Sequence, residues 1–328
     1  VEASAREVAR YATGYTIVVE KSTLPVRTAE VIVNILNSAK TNSKREEIRF
    51  DVLSNPEFLA EGTAIKDLDN PDRVLIGGEN KNAMIELSNI YKAWVPEEKI
   101  LFTNIWSSEL AKLTSNAFLA QRISSINSIS AICEVTGADV REVSRAIGKD
   151  SRIGSQFLDS GPGFGGSCFK KDILNLVYLA EYFGLTEVAN FWEKVVEINN
   201  WHQKRISKIV IKKLFGTISQ KKIIILGFAF KANTNDTRES AAISICRDLI
   251  DEGAYLIIYD PKVSPRQIES DLQIKQKNII DNNHSLNDQL GGWEFCKNLE
   301  IFENAHAALI LTEWEEFKNI NWAKVSKK

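Results

Sequence analysis

The sequence predicts an α/β protein in which two parallel-sheet regions flank a helical region. Short β-branched runs alternate with helical stretches before residue 105 and again after residue 216, and strands that alternate with helices pair in parallel. Between these regions, apolar residues recur at spacings of three and four, which is typical of helices. We therefore expect three domains, at residues 1–105, 106–202 and 203–328.

The first region is predicted to be α/β. An amphipathic stretch ends at Tyr11, and Thr16–Glu20 is a β-branched run typical of a buried parallel strand. Ser22 or Thr23 is expected to cap the next helix, with Pro25 in its first turn. Further strands are predicted at 50–53, 73–76 and 99–102, and a helix at 82–94.

The central region is predicted to begin at Trp106 with an uninterrupted helical pattern that stops near Gly137. A helix of roughly 28 residues is about 42 Å long, which suits the spine of a domain or an oligomer interface. Three further helices are predicted at 139–147, 171–183 and 187–215.

The last region is predicted to contain a second βαβ unit, with a strand at 222–227, a helix at 238–252 and a strand at 254–260. Residues 263–300 are polar, and Gly291 and Gly292 punctuate them, so a surface insertion is expected there. A buried strand at 307–311 and a polar helix follow.

The composition excludes several classes of function. The 328 residues include 41 basic and 43 acidic side chains, so no net charge attracts nucleic acid or an acidic membrane. Apolar runs are far shorter than the roughly 20 residues that cross a bilayer. Four scattered cysteines argue against a zinc site and disulfides, and they fit a reducing cytoplasm. Three isolated histidines argue against a metal site or a Ser-His pair.

The start of the chain suggests that it is a piece of a longer protein. Val1 is not a translation start, and the one methionine is Met84. Residues 161–166 have the spacing G-x-G-x-x-G, but they follow helices rather than a strand, which excludes a dinucleotide fingerprint there. Because no strand elsewhere runs into that motif, we expect the first half of an incomplete N-terminal domain to lie before Val1.

Cys168 is the strongest candidate for chemistry. It precedes a predicted helix, whose N-terminus favours a thiolate, and Lys170 and Lys171 add positive charge. Asp172 lies one helical turn further on the same face. The alternative is a small buried cysteine beside an N-terminal acid, which is the role expected for Cys133 and Cys246 within helices. Cys296 falls in the expected insertion.

Two further groups are candidates for binding or catalysis. Lys112 and Asn116 share a helix face and could hold one oxyanion together, although a solvated face is the commoner outcome. Glu57 and Glu61 follow a predicted strand, where α/β sheets bind ligands, and a capped loop is the alternative. The basic residues between 204 and 213 are expected to form a solvated helix face.

Five ordered motifs resemble the nucleotide-sugar 6-dehydrogenases, the UDP-glucose/GDP-mannose dehydrogenase family. They are EKSTLPV at 20–26, SNPEFLAEG at 54–62, ELxKLxxNAF at 109–118, GFGGSCFxKD at 163–172 and GFAFK at 227–231. Residues 116–127 resemble the UDP-glucose branch. The resemblance implies an NAD-binding Rossmann domain, a helical domain and a Rossmann-like UDP-binding domain that stops before its last strand, assembled as a homodimer or higher homo-oligomer.

The resemblance also implies an NAD-dependent, four-electron oxidation of UDP-glucose to UDP-glucuronate. Cys168 would add to the aldehyde, the thiohemiacetal would lose the second hydride, and the thioester would be hydrolysed. Lys112 would assist deprotonation of the alcohol and, with Asn116, stabilise oxyanions. Asp172 and Thr23 would position water.

Other roles follow from the same motif matches. Glu57 would act as acid or base in hydrolysis, and Arg152 would reach a neighbouring subunit. The residues implied near NAD are Ser22, Thr23, Glu61, Lys171 and Arg238. The residues implied near the nucleotide sugar are Glu57, Phe58, Leu59, Lys112, Asn116, Arg152, Phe157, Phe164, Gly165, Phe230 and Lys231. Asp159 stands where animal members of the family tend to have a lysine near the substrate, so the resemblance does not carry over the phosphate contacts of that lysine.

The sequence leaves two alternatives open. The same chemistry could act on another nucleotide sugar, such as UDP-N-acetylmannosamine or GDP-mannose. The chain could instead be an inactive binding or oligomerisation module, because it lacks a dinucleotide phosphate loop.

Overall fold

The computed structural model describes residues 1–23, 26–40, 48–277, 291–299 and 302–325. Contacts within it define two units, Val1–Asn116 and Ala117–Lys328, and the division falls inside helix α5. The three-domain boundaries expected from the sequence stay a prediction. Within the described ranges, no helix is both long enough and apolar enough to span a bilayer.

The first unit alternates helices and strands, as predicted. Its elements are α1 (Glu2–Tyr11), β1 (Thr16–Glu20), α2 (Thr28–Lys40), β2 (Phe50–Ser54), α3 (Ala64–Asp69), β3 (Val74–Gly77), α4 (Lys81–Tyr91), a short 3-10 helix (Glu97–Lys99), β4 (Ile100–Thr103) and the start of α5 (Ile105–Thr136).

The first sheet has the order β1-β2-β3-β4, and its middle pair corrects the prediction of a wholly parallel sheet. The pairs β1–β2 and β3–β4 are parallel, whereas β2 and β3 are antiparallel, with Ser54 opposite Gly77. The intervening helix α3 has six residues and buries none of them. It therefore does not cover the sheet as the helix of a parallel crossover does.

Successive residues of β2 face opposite sides of this sheet, as strand geometry requires. Val52 packs with Ala29 and Leu36 of α2 on one side. Leu53 packs with Met84 of α4 and with neighbouring strands on the other side. Both faces of the sheet are therefore covered within the unit, and the ends of the strands are left for binding.

The start of α2 differs from the prediction. The helix begins at Thr28, so neither Ser22 nor Thr23 is its cap, and Pro25 lies outside the described residues. The carboxylate of Glu109, in α5, accepts the backbone N–H groups of Arg27 at 2.6 Å and Ala29 at 2.9 Å. A side chain that is distant in sequence thus supplies the partner that a local cap usually provides.

The second unit contains a helical part and a second sheet. Its elements are the rest of α5, α6 (Val140–Gly148), α7 (Phe169–Tyr182), α8 (Thr186–Lys213), β5 (Lys222–Leu226), α9 (Ala241–Asp251), β6 (Tyr255–Tyr259), α10 (Pro265–Leu272), β7 (Gly292–Phe295), β8 (Ala307–Ile310), a 3-10 helix (Glu315–Asn319) and α11 (Trp322–Val325).

Side-chain caps begin several helices of this unit. Asp139 accepts the N–H of Arg141 at the start of α6, and Ser240 caps α9 in place of the predicted start at 238. Ser264 caps α10, whose first residue is Pro265. These are the residue types that satisfy the free N–H groups of a first helical turn.

The second sheet is parallel throughout, in the order β7-β6-β5-β8. This confirms the predicted second βαβ unit. The chain proceeds outward from β5 to β7 and then returns to place β8 on the other side of β5. The carboxyl ends of β5 and β8 therefore form a topological switch point, where open α/β sheets bind ligands.

The surface insertion expected at 263–300 is wrong for the described residues. Helix α10 and strand β7 lie there, and residues 278–290 are outside the described ranges. Trp293 in β7 is fully buried, and its indole N–H donates to the Ile274 carbonyl at 2.8 Å. Gly291 permits close packing rather than a turn, because a Cβ there would lie 2.3 Å from the Ile250 carbonyl oxygen.

Trp293→Ala is expected to destabilise the protein by about 3 to 5 kcal/mol, because it leaves a large cavity in the second sheet. Urea unfolding followed by circular dichroism measures the change. Trp201, which is half exposed, supplies the control, and Trp201→Ala should cost less than about 1 kcal/mol. Equal effects of the two variants would show that β7 is not part of the core.

Candidate active site

The segment that follows β2 stays bonded to the chain at the end of β1, because the N–H groups of Asn55 and Glu57 donate to the carbonyls of residues 20 and 21 at 2.8 and 3.3 Å. The side-chain amide of Asn55 is buried and donates to the Leu75 carbonyl at 2.8 Å. The Arg73 guanidinium carbon lies 3.9 Å from the centroid of the Phe58 ring, a stacking distance.

Glu57 is paired with a cation that is itself fixed. The Lys21 ammonium lies 3.2 Å from the Glu57 carboxylate, and it donates to the side-chain oxygen of Asn55 at 3.0 Å and to the Tyr91 hydroxyl at 2.9 Å. The Tyr91 hydroxyl donates to Asn55 at 2.6 Å. Burial alone would lower the pKa of Lys21, but Tyr91 and Glu57 raise it above its ordinary value. Lys21 is therefore a permanent cation beside Glu57.

Lys112 and Asn116 lie on α5 and are both buried, with 8% and 7% of their surface exposed. The prediction that they share a face is confirmed by the helix, and the solvated-face alternative is wrong. The Lys112 ammonium lies 5.1 Å from the centroid of the Phe58 ring. A buried cation loses its hydration, and the face of an aromatic ring replaces part of that stabilisation. The structure thus brings Phe58 and Lys112 together.

Two buried acids of this unit were not singled out from the sequence. Burial raises the pKa of Glu109, although the N–H groups of Ala29 and Arg27 oppose the change. Burial, and then the negative charge of Glu109, raise the pKa of Glu20 to about 7. The local sequence does not indicate the raised pKa of Glu20, because its burial and its approach to Glu109 depend on residues that are remote in sequence.

Ser22 and Thr23 lie directly after β1, at the same edge of the sheet as Asn55. Ser22 is exposed and Thr23 is half buried, and the Ser22 N–H binds the Glu20 carboxylate. Leu59 is half buried, and Glu61 is exposed at the end of the 55–62 segment. Hydroxyl groups are therefore accessible at the carboxyl end of a parallel strand pair.

In the second unit, Cys168 occupies the N-cap position of α7, as the sequence predicts, and its thiol is exposed. This excludes the alternative of a buried packing cysteine. Cys133 and Cys246 are buried in helices, as expected, and burial raises the pKa of Cys246. Cys168 is thus exposed at a helix N-terminus, where thiols are most reactive.

Asp172 lies one turn further along α7 and is fully buried. Its backbone N–H donates to the Cys168 carbonyl at 2.9 Å, and the Lys171 ammonium lies 3.3 Å from its carboxylate. The ammonium of Lys170 pairs with Glu239 at 2.8 Å. The first turn of α7 therefore holds a thiol, a buried carboxylate and two lysines with different partners.

The glycines before Cys168 allow close packing against residues 228–240. A Cβ on Gly165 would lie 2.5 Å from the Glu239 carbonyl oxygen. Gly166 has φ +82° and lies against the Phe230 ring, and its N–H donates to the Arg238 carbonyl at 2.8 Å. No strand lies at 149–168, which confirms that this glycine run is not a dinucleotide fingerprint.

The turn after β5 is organised by Asp260, which was not predicted as a site residue. Its buried carboxylate accepts the backbone N–H groups of Phe228 at 2.7 Å and Ala229 at 3.0 Å. The turn leads to Phe230 and Lys231, both half buried. Asp260 therefore fixes the GFAFK segment at the switch point of the second sheet.

The remaining predicted residues of this unit are more exposed. The guanidinium of Arg238 binds Asp236 at 2.5 Å. Arg152 has a side chain that is 87% exposed and pairs with Asp150 at 2.6 Å. Phe157 is exposed with φ +60°, and Asp159 is also exposed. Their contacts do not identify a role.

Arg122 organises the loop that carries Arg152 and Phe157. Its guanidinium donates to three backbone carbonyls of that loop, those of Ile153, Gly154 and Gln156, at 2.8 to 3.0 Å. On the long basic helix α8, Arg205 is largely buried and pairs with Glu134, so the expected solvated face is wrong at that residue. No group of His, Cys, Asp or Glu in the described ranges is arranged to hold a metal ion.

Three models of the UDP-glucose/GDP-mannose dehydrogenase family match the chain. The NAD binding domain matches residues 1–95, the central domain matches residues 106–201, and the UDP binding domain matches residues 224–328.

Individual proteins are also similar to the chain. The UDP-glucose 6-dehydrogenase of Bos taurus is 52% identical over 100% of this chain and 65% of the relative. UDP-glucose 6-dehydrogenase 2 of Arabidopsis thaliana is 52% identical over 99% of this chain and 68% of the relative. The structure of a UDP-glucose dehydrogenase from Pyrobaculum islandicum has a TM-score of 0.82 and 30% identity, covering 98% of this chain and 69% of that chain. The chain spans about two thirds of the length of these curated relatives.

Glu20→Gln is expected to remove a pH dependence of stability. Because the folded-state pKa of Glu20 is about 7, above its ordinary 4.5, Glu20 lowers stability progressively as pH rises from about 4.5 to about 7. The variant should therefore match the wild type near pH 4.5 and exceed it at pH 8 by on the order of 1 to 3 kcal/mol.

Urea unfolding at both pH values measures this difference. Glu79→Gln, which changes an exposed carboxylate, is the control and should alter stability little at either pH. A variant that was no more stable than the wild type at pH 8 would contradict the raised pKa of Glu20.

Proposed function

The chain belongs to the UDP-glucose/GDP-mannose dehydrogenase family, and on this premise we propose that it oxidises UDP-glucose to UDP-glucuronate with NAD⁺. The observation that carries the proposal is the exposed thiol of Cys168 at the N-cap of α7, one turn from a fully buried Asp172. A cysteine-based aldehyde oxidation requires an accessible nucleophile of this kind.

The first unit has features that suit NAD. Ser22 and Thr23 present hydroxyl groups after β1, where parallel α/β sheets bind nucleotides, and Glu61 is exposed after β2. We propose that these residues hold part of the cofactor. When bound, NAD⁺ supplies a hydride acceptor, and the conversion of a primary alcohol to an acid releases two hydrides.

Lys112 and Asn116 suit the oxidation of the alcohol. Their buried side chains share one face of α5, so an ammonium and an amide can both contact one oxygen. Lys112 would assist removal of the hydroxyl proton, and both groups would stabilise the negative charge that develops on that oxygen. Phe58 would keep water from the Lys112 ammonium.

Cys168 suits the oxidation of the aldehyde. Its thiolate adds to the carbonyl carbon, a C–S bond forms, and the oxygen takes a proton to give a thiohemiacetal. Loss of hydride from that carbon and of the proton from its oxygen leaves a thioester. Water then attacks the thioester, the C–S bond breaks, and the thiolate and the carboxylate product are released with two protons.

Three further residues would serve the hydrolysis. We propose that Glu57, held beside Lys21, exchanges protons with water, while Asp172 and Thr23 position it. The buried position of Asp172 near the Cys168 backbone fits a role in orientation.

The second sheet suits a UDP group. The matched UDP binding domain covers residues 224–328, and Phe230 and Lys231 follow the carboxyl end of β5 at the switch point. We propose that an aromatic ring and a cation there contact the nucleotide and its phosphates. All four cysteines are free thiols, which fits the reducing cytoplasm that we propose as its compartment.

Cys168→Ser is expected to abolish UDP-glucuronate formation, because serine is a far weaker nucleophile toward the aldehyde. Separation of the products by chromatography, together with NADH absorbance, measures the effect. Cys296→Ser, at a half-buried cysteine after β7, is the control and should keep wild-type activity. Undiminished UDP-glucuronate formation by Cys168→Ser would overturn the thiol mechanism.

Lys112→Ala is expected to lower kcat for UDP-glucose by roughly 10² to 10⁴, the usual contribution of a positioned acid or base. Lys92→Ala, which removes an exposed partner of Glu97, should leave kcat unchanged. Unchanged kcat in Lys112→Ala would exclude Lys112 from the reaction.

The choice of substrate is tested with three donors. NADH production from UDP-glucose should exceed that from UDP-N-acetylmannosamine and GDP-mannose, and a reversed preference would overturn the proposed substrate. Calorimetry of NAD⁺ and UDP-glucose separates an enzyme from a binding module. Binding of UDP-glucose without any NADH production would favour the binding module.

A further inference from the structure

A single buried amide holds the backbone ahead of Cys168. The side-chain oxygen of Asn199 accepts the N–H of Phe164 at 2.8 Å, and its side-chain NH₂ donates to the carbonyl of the same residue at 3.1 Å. Asn199 lies on α8 and is 4% exposed. It therefore pairs with Phe164 much as a neighbouring strand would.

Two more buried side chains hold Gly161. The side-chain oxygen of Asn127, on α5, accepts the Gly161 N–H at 3.0 Å. The His202 imidazole, on α8, donates from Nε2 to the Gly161 carbonyl at 2.9 Å. Burial lowers the pKa of His202, so the ring is neutral at pH 7. We call Asn127, Asn199 and His202 the loop clamp.

The helices α7 and α8 have an apolar contact of their own, a cluster that includes Ile173, Val177 and Val195. The hydrogen bonds of the clamp side chains go to the loop, at Gly161 and Phe164. Two clamp atoms, the amide nitrogen of Asn127 and Nδ1 of His202, are buried without a partner in the described part of the chain, which costs stability. The three polar side chains therefore serve the loop rather than the helices.

The loop fits the clamp closely. Gly163 has φ +127°, and a Cβ there would lie 2.7 Å from the side-chain oxygen of Asn199. The buried Phe164 ring meets Phe169 edge-on at 5.9 Å. Because Phe169 is the first residue of α7, the position of Phe164 is linked by one contact to the residue that follows Cys168.

We propose that Asn199 is a positioning residue for the thiol step. By binding both backbone groups of Phe164, it fixes the loop that carries Cys168 and keeps the thiol at the N-terminus of α7. This inference rests on the proposed function. Loss of Asn199 should affect the two oxidations differently, because the aldehyde step uses the thiol and the alcohol step does not.

Asn199→Leu keeps the side-chain size and removes both hydrogen bonds. We expect oxidation of the supplied UDP-glucose 6-aldehyde to slow by at least roughly tenfold, because a small misplacement of a nucleophile is costly. Oxidation of UDP-glucose to the aldehyde, measured as the first NADH with semicarbazide trapping the aldehyde, should change by less than about threefold, because the thiol takes no part in it.

Ser124→Ala is the matched control. Ser124 is 4% exposed on α5, and its hydroxyl donates to the Val195 carbonyl of α8 at 3.0 Å, so it makes a buried hydrogen bond whose partner is a helix and not the loop. It should leave the ratio of the two oxidation rates unchanged. Equal slowing of both steps in Asn199→Leu, or no slowing of either, would overturn the proposal.

His202→Phe provides a second variant if Asn199→Leu fails to fold. It keeps a ring in place and removes only the bond to Gly161, and it should slow the aldehyde step selectively. An unchanged aldehyde rate in a folded His202→Phe protein would also contradict the role of the clamp.

Alkylation of Cys168 by iodoacetamide tests the clamp without any turnover. The thiol is already exposed, so loosening the loop adds little access, but it lets the Cys168 side chain turn away from the N–H groups of the first turn of α7. Alkylation at pH 7 should therefore slow by about threefold or more in Asn199→Leu. If the wild type oxidises no nucleotide sugar, the proposed function fails, and equal alkylation rates would show separately that the clamp fails.

Discussion

Backbone that is irregular and buried must find hydrogen-bond partners among side chains, and this requirement shapes each segment that we propose to act on substrate. Asn55 binds the Leu75 carbonyl where β2 ends. Glu109 binds the N–H groups that open α2. Asn199 binds the backbone of the loop before Cys168, and Asp260 binds the backbone of the turn after β5. The side chains that satisfy the backbone also determine where the reactive groups lie.

Ion pairs also hold charged side chains in place in these segments. Lys21 is paired with Glu57, and Lys171 with Asp172, so each acid proposed for hydrolysis has a fixed counter-charge. Glu20 differs, because burial and the nearby Glu109 raise its pKa to about 7. One buried acid therefore changes its charge near neutral pH, and it is not one of the acids proposed for the chemistry.

The sequence was most informative where structure is local. Runs of β-branched residues located most strands, and a cysteine before a helix correctly indicated an exposed thiol at an N-cap. The spacing of Lys112 and Asn116 predicted a shared face, but their burial depends on tertiary packing that spacing does not encode. The antiparallel pairing of β2 with β3 and the start of α2 at Thr28 depend on contacts between remote residues, such as Glu109. For the same reason, nothing in the basic pattern of α8 distinguished Asn199.

The backbone bonds beyond β2 have a consequence for variation in this protein. The N–H groups of Asn55 and Glu57 donate to the carbonyls of residues 20 and 21, and Phe58 then lies against Arg73. An insertion of one residue between Asn55 and Phe58 would turn the following side chains to the opposite face. Helix α3, which comes next, buries no side chain. Changes of length that alter the entrance to the sheet edge are therefore tolerable around α3, whereas residues 55–58 permit substitution but not insertion.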